Sequence, residues 1–149
     1  MRGIESLLAE YDDSHGNPVN KLLHWICVPL IMFSLLALLW LVPLPGAPLN
    51  GAVLLVIATL IYYLLLSARL AAGMLVVSLL MLGLLLALDR AGAPLLILAA
   101  EVFVLAWIGQ FVGHYLEGKR PSFLKDIQFL LIGPLWLLAA AYRWLGISY

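Results

Sequence analysis

Charge is what this chain has least of. Asp, Glu, Lys and Arg make up 11% of its 149 residues, against 65% hydrophobic. A soluble domain is about a quarter charged and about half apolar, so a water-soluble globule is excluded. A single polytopic membrane domain over residues 1–149 is expected instead, all-α, with no room for a separate soluble module. Eight basic residues balance eight acidic ones, which leaves no electrostatic footprint for nucleic acid. Cysteine is nearly absent. The lone Cys27 can build neither an internal disulfide framework nor a cysteine zinc cluster. No secretory signal is expected either, because the first 21 residues are polar and acidic where a signal is basic and then apolar. The first apolar span is therefore expected to act as the insertion signal. Histidine is scarce as well: His15, His24 and His114 are all there are.

What is present reads as helices. Ile4, Leu7, Leu8 and Tyr11 form one apolar stripe over residues 3–13, as a short interfacial helix or one packed on the protein itself requires. Asn17 before Pro18 is an N-cap followed by proline at the first helical position. The spacing then predicts spans over about 22–42, 51–67, 70–88, 94–115 and 127–144. Pro29 predicts a kink in the first. Pro43, Pro45 and Pro48 end it, a tight turn at Arg69 joins the second and third, and Gly133-Pro134 interrupts the fifth.

Five spans with the N-terminus inside put Arg2, Lys21, Arg69, Lys119, Arg120 and Lys125 on the inner face, and Arg90 and Arg143 outside. That bias sets the orientation. His24 then lies at the cytoplasmic start of the first span and His114 at the cytoplasmic end of the fourth. His15 is on the same side. Gln110, His114 and Glu117 share one face within about 60°. The topology thus gathers three imidazoles, Glu117, Asn20 and Gln110 at one interface.

Three imidazoles and a carboxylate are a candidate metal set, suited to Fe, Zn, Cu or Ni; two histidines plus a carboxylate suit ferrous oxygen chemistry. Asn17, Asn20 and Gln110 are candidates for holding ring N–H groups or carboxylate oxygens. Two other readings stay open. A histidine or zinc can drive lipid hydrolysis, and interfacial histidines can simply satisfy backbone or headgroup atoms in a non-catalytic scaffold. Glu101, thirteen residues before His114, is about 20 Å away along the helix and is read as protonated or bonded to a neighbouring helix. Trp25, Trp40, Trp136, Trp144 and Tyr149 read as interfacial anchors. Gly73, Gly83, Gly109 and Gly113 read as close-packing positions.

The stretch from His15-Gly-Asn17-Pro18-Val-Asn20 through His24 to Pro29 resembles the Mpo1-like family. So do Trp107-Ile-Gly-Gln110-Phe-Val-Gly113-His114 and Glu117-Gly-Lys-Arg-Pro121, with Asp126, Gln128 and Pro134 downstream. The resemblance spans nearly the whole chain. It implies an Fe(II)-dependent dioxygenase that uses O2 to shorten a 2-hydroxy fatty acid by one carbon, as in sphingolipid breakdown. His15, His24 and His114 match the histidines taken to bind iron in that family. Glu117 stands beside them as a further candidate ligand and catalytic residue. Lys21, Lys119 and Arg120 are candidates for the substrate carboxylate. With no retention signal and a short Leu/Ala-rich chain, a bacterial inner membrane is expected, the site facing the cytoplasm.

Overall fold

The apolar pattern folds into helices throughout. The computed structural model describes residues 3–46 and 49–149, so the expectations placed on Arg2 and Pro48 lie outside the described residues. Among them there are six α-helices and no strand. They are α1 (Ile4–Asp12), α2 (Pro18–Trp40), α3 (Gly51–Leu66), α4 (Ala68–Arg90), α5 (Leu95–Glu117) and α6 (Phe129–Trp144). One 3-10 turn, Ser122–Leu124, lies between α5 and α6. Helices α2, α4 and α5 are long and apolar enough to cross a membrane. α3 and α6 are apolar but have 16 residues each, about 24 Å at 1.5 Å per residue.

The local signals of α2 act as read. Asn17 caps it by accepting from Val19 N and Asn20 N, with Pro18 in the first turn. The helix runs unbroken past Pro29. Its partner is α5, the most extensive pairing in the molecule, and two glycines permit it. A methyl group on Gly109 would lie 2.5 Å from Cys27 Sγ, and one on Gly113 2.4 Å from Asn20 Oδ1. The two helices are antiparallel: Asn20 and Gly113 meet at one end, which sets His24 beside His114. Gly73 plays the same part between α4 and α6, where a methyl group would strike Tyr142 and Leu138.

Of the two readings of α1, packing on the protein itself is the one found: Leu7, Leu8 and Tyr11 are buried with Phe129, Ile132, Leu135 and Trp136 of α6. Three expectations need correction. The α3–α4 junction is Ser67, not Arg69. This one extended residue ends α3, and its hydroxyl caps α4 by accepting from Leu70 N. Gly133-Pro134 does not interrupt α6, which is continuous from Phe129 to Trp144. Gly83 meets nothing within 4 Å among the described residues, so it is not a packing position. Of the two readings of Glu101, the bond to a neighbouring helix is not found among the described residues, where the residue is exposed.

Candidate metal centre

His15 sits in the turn between α1 and α2, His24 two turns into α2, and His114 in the last turn of α5. The fold brings all three together. Their side chains are 0%, 1% and 5% exposed, and each offers one nitrogen within 4.8 Å of the other two. Ring centroids are 4.2 Å apart for His15 and His24, 5.1 Å for His15 and His114, and 4.9 Å for His24 and His114. Burial of three imidazoles at one point is costly unless their nitrogens are satisfied.

Counting protons shows what is needed to satisfy them. His15 Nδ1 lies 2.5 Å from the Tyr11 carbonyl, His24 Nδ1 lies 2.9 Å from the Asn20 carbonyl, and the two Nε2 atoms lie 2.9 Å from each other. Each of these three contacts needs a proton, yet two neutral imidazoles carry only two. An imidazolium would supply the third, but burial holds the His15 pKa below the usual imidazole value. The Tyr11 carbonyl, Glu117 and Asp12 pull the other way without reversing this. A cation held by the imidazoles would remove the conflict, because Nε2 atoms that both donate lone pairs to a metal need no proton between them; the two stand 2.9 Å apart. The backbone carbonyls on Nδ1 fix each ring with Nε2 facing inward, the usual outer support of a metal-bound imidazole. The third ring points the same way: His114 Nδ1 is buried without a partner among the described residues. The donor set fits a borderline divalent ion.

Glu117 is placed differently. Its Oε1 accepts from Gly16 N at 2.9 Å, and its Oε2 accepts from Asn17 N at 2.8 Å and Asn20 Nδ2 at 3.1 Å. It ties the end of α5 to the His15 turn and stands outside the three-imidazole cluster. Asn20 bridges the same groups, since its Nδ2 also donates to Ser14 O at 3.3 Å. Gln110 is buried beside His114. Of the candidate carboxylate cations, Lys21 is 3.9 Å from Asp12, and Lys119 donates to the Asp13 carbonyl. Arg120 is exposed.

Two aromatic walls were not singled out as site residues. Tyr11 stacks on His15 with centroids 4.3 Å apart and planes 14° from parallel. Trp136 is no interfacial anchor. It is 4% exposed, lies 5.1 Å from the His15 ring and donates to Asp12 Oδ1 at 3.1 Å. Trp144, by contrast, is 90% exposed.

A cavity of about 380 Å³ opens from this cluster. His24, His114, Tyr11 and Gln110 line one end, and Leu35, Leu36, Leu55 and Val56 the other. Val28, Met32, Phe103 and Trp107 form walls between. Leu36 is twelve residues beyond His24, about 18 Å along α2.

The family model described as "2-hydroxy-palmitic acid dioxygenase Mpo1-like" matches residues 1–145. The chain belongs to the Mpo1-like family. A relative from Saccharomyces cerevisiae, the 2-hydroxy-palmitic acid dioxygenase MPO1, is 34% identical over 137 residues, covering 91% of this chain and 77% of its own. No solved structure matches the chain. Within this Mpo1-like chain, the histidines and Glu117 announced themselves as polar residues in an apolar setting. Ser122 and the cavity carried no such signal, because a serine after a proline in a loop is ordinary.

Proposed function

We propose that the chain is an integral membrane dioxygenase that shortens 2-hydroxy fatty acids by one carbon, with Fe(II) held by His15, His24 and His114. The observation that carries this is the missing proton among three buried imidazole contacts at the end of an apolar cavity. The yeast relative, named for action on 2-hydroxy-palmitic acid, supports the choice of substrate. The reaction balances without a further reductant: R–CH(OH)–COOH plus O2 gives R–COOH, CO2 and water. The C1–C2 bond breaks, C1 leaves as CO2, and C2 becomes the new carboxyl carbon.

When bound, the iron supplies the electron-transfer chemistry with O2 that amino-acid side chains lack. The chain's own residues do the rest. The Tyr11 and Asn20 carbonyls hold the ring protons of His15 and His24. Glu117 acts by holding the His15 turn in place, a positioning part in place of a ligand's. The cavity takes the acyl tail, each CH2 contributing about 0.8 kcal/mol on burial, and its apolar walls keep water from the reacting carbons.

The molecule is one domain with five spans, α2 to α6, and its N-terminus and metal site face the cytoplasm of a bacterium. A fatty acid then reaches the site from the bilayer without drawing its tail through water. Elemental analysis of anaerobically purified protein tests the chemistry, with wild type beside His24→Ala and His114→Ala. About one iron per chain, lost in both variants together with O2 uptake on 2-hydroxypalmitate, is the expected result. Zinc with oxygen-independent turnover would replace this reading by a hydrolase. No metal after reconstitution with Fe(II) would leave a scaffold.

A further inference from the structure

Four buried polar atoms without partners among the described residues belong to residues that line the cavity. They are Trp107 Nε1, Gln110 Nε2, Ser122 Oγ and His114 Nδ1. Gln110 and Ser122 are 6% and 4% exposed, so bulk water does not satisfy them. An indole N–H and a carboxamide NH2 can only donate, and a hydroxyl can donate as well. Buried donors without acceptors are costly, and here three of them belong to residues that line one cavity. Trp107, Gln110 and His114 share one face of α5, within about 60° of arc. The 3-10 turn carrying Ser122 closes over them, with the Phe123 ring 5.2 Å from that of Trp107.

We propose that Trp107, Gln110 and Ser122 form a carboxylate-recognition site, in which neutral donors hold the acid end of the ligand beside the imidazoles. The inference rests on the fatty-acid reading above for the ligand's tail, but the head-group chemistry comes from the donors. A carboxylate accepts about four hydrogen bonds and offers none, which is the complement of these three unpartnered donors. An ester offers fewer acceptor sites and no charge. The formal cations nearby are not needed: Lys21 and Lys119 hold Asp12 and the Asp13 carbonyl. Neutral donors also select an acid without leaving a lysine or arginine charge buried when the cavity is empty.

The test compares 2-hydroxypalmitate with its methyl ester, by anaerobic binding to the full chain in detergent, so that no turnover occurs. Wild type should prefer the acid. Trp107→Phe, Gln110→Leu and Ser122→Ala should each weaken the acid by about ten-fold, the usual cost of one hydrogen bond to a charged group, and leave the ester nearly unchanged. Gln110→Glu, which sets a carboxylate against the ligand's, should weaken the acid further. Equal loss for acid and ester in all three donor variants, no loss in any, or a wild type without preference would overturn the proposal. Oxygen uptake is read separately. Acid-selective binding with no O2 consumed would strike the dioxygenase reading alone, whereas O2 consumption unaffected by the donor variants, with acid and ester bound alike, would strike the donor site alone.

Discussion

At the scale of single residues, one hydrogen atom at Gly113 governs the centre. A methyl group there would come within 2.4 Å of Asn20 Oδ1. Asn20 has little freedom to retreat, since its amide holds Ser14 and Glu117 and its carbonyl orients His24. Gly113→Ala should therefore push α2 off α5 and disturb the supports of the imidazoles. Lost outer support typically costs 10–100-fold in metal affinity, so the Kd for Fe(II), titrated anaerobically, should rise by about that order and metal content after dialysis should fall. Gly83→Ala is the control: nothing lies within 4 Å among the described residues, and replacing a mid-helix glycine should stabilise by about 0.5–1 kcal/mol. Thermal unfolding and metal content measured on both variants decide this, and a Gly113→Ala protein with full iron would sink it. The histidines were legible because an imidazole in an apolar run demands explanation. The work of Glu117 was not, since its partners are the amides of Gly16 and Asn17, about a hundred residues away. Sequence chemistry names a carboxylate but does not say which donors will reach it.

At the scale of elements, hydrophobic runs located every helix, while the ends followed from local chemistry that the runs do not show. Ser67, two residues before Arg69, makes the α3–α4 corner because its hydroxyl accepts from Leu70 N. Gly133-Pro134 looked like a break, yet there the helix is buried. A methyl group on Gly133 would lie 3.0 Å from the Tyr11 hydroxyl, so the glycine makes room for α1. Lengths leave a testable tension. At about 24 Å, α3 and α6 are shorter than the roughly 30 Å hydrocarbon layer, and five crossings require local thinning or flanking anchors. With Cys27→Ser as background, a Glu5→Cys and an Ile147→Cys variant in sealed vesicles should react with an impermeant maleimide from opposite sides. Labelling from the same side would mean that the spans are even in number, and α6 would be the first to lose its crossing.

At the scale of the whole molecule, one cavity is lined by α2, α3, α5 and α6 together. No periodicity in the sequence foretold its length, because it depends on how four helices diverge below the imidazoles. An extended acyl chain advances about 1.25 Å per carbon, from C–C bonds of about 1.52 Å at tetrahedral angles. The roughly 18 Å from His24 to Leu36 therefore hold about 14 carbons beyond the reacting pair, a total near sixteen. Met32 lines the cavity eight residues beyond His24, about 12 Å along the axis, and it is only partly buried. Met32→Trp should put an indole across the channel there and move the preferred substrate from about sixteen carbons to about twelve, by the same bond-length arithmetic. The overpacking itself costs about 1–3 kcal/mol, so the decisive quantity is the profile of O2 uptake against chain length, with the absolute rate set aside. Short substrates turned over nearly as in wild type, with long ones lost, would place the tail in this cavity. A uniform decline at every length would mean that the tail lies elsewhere, since a plug in the channel cannot slow substrates too short to reach it.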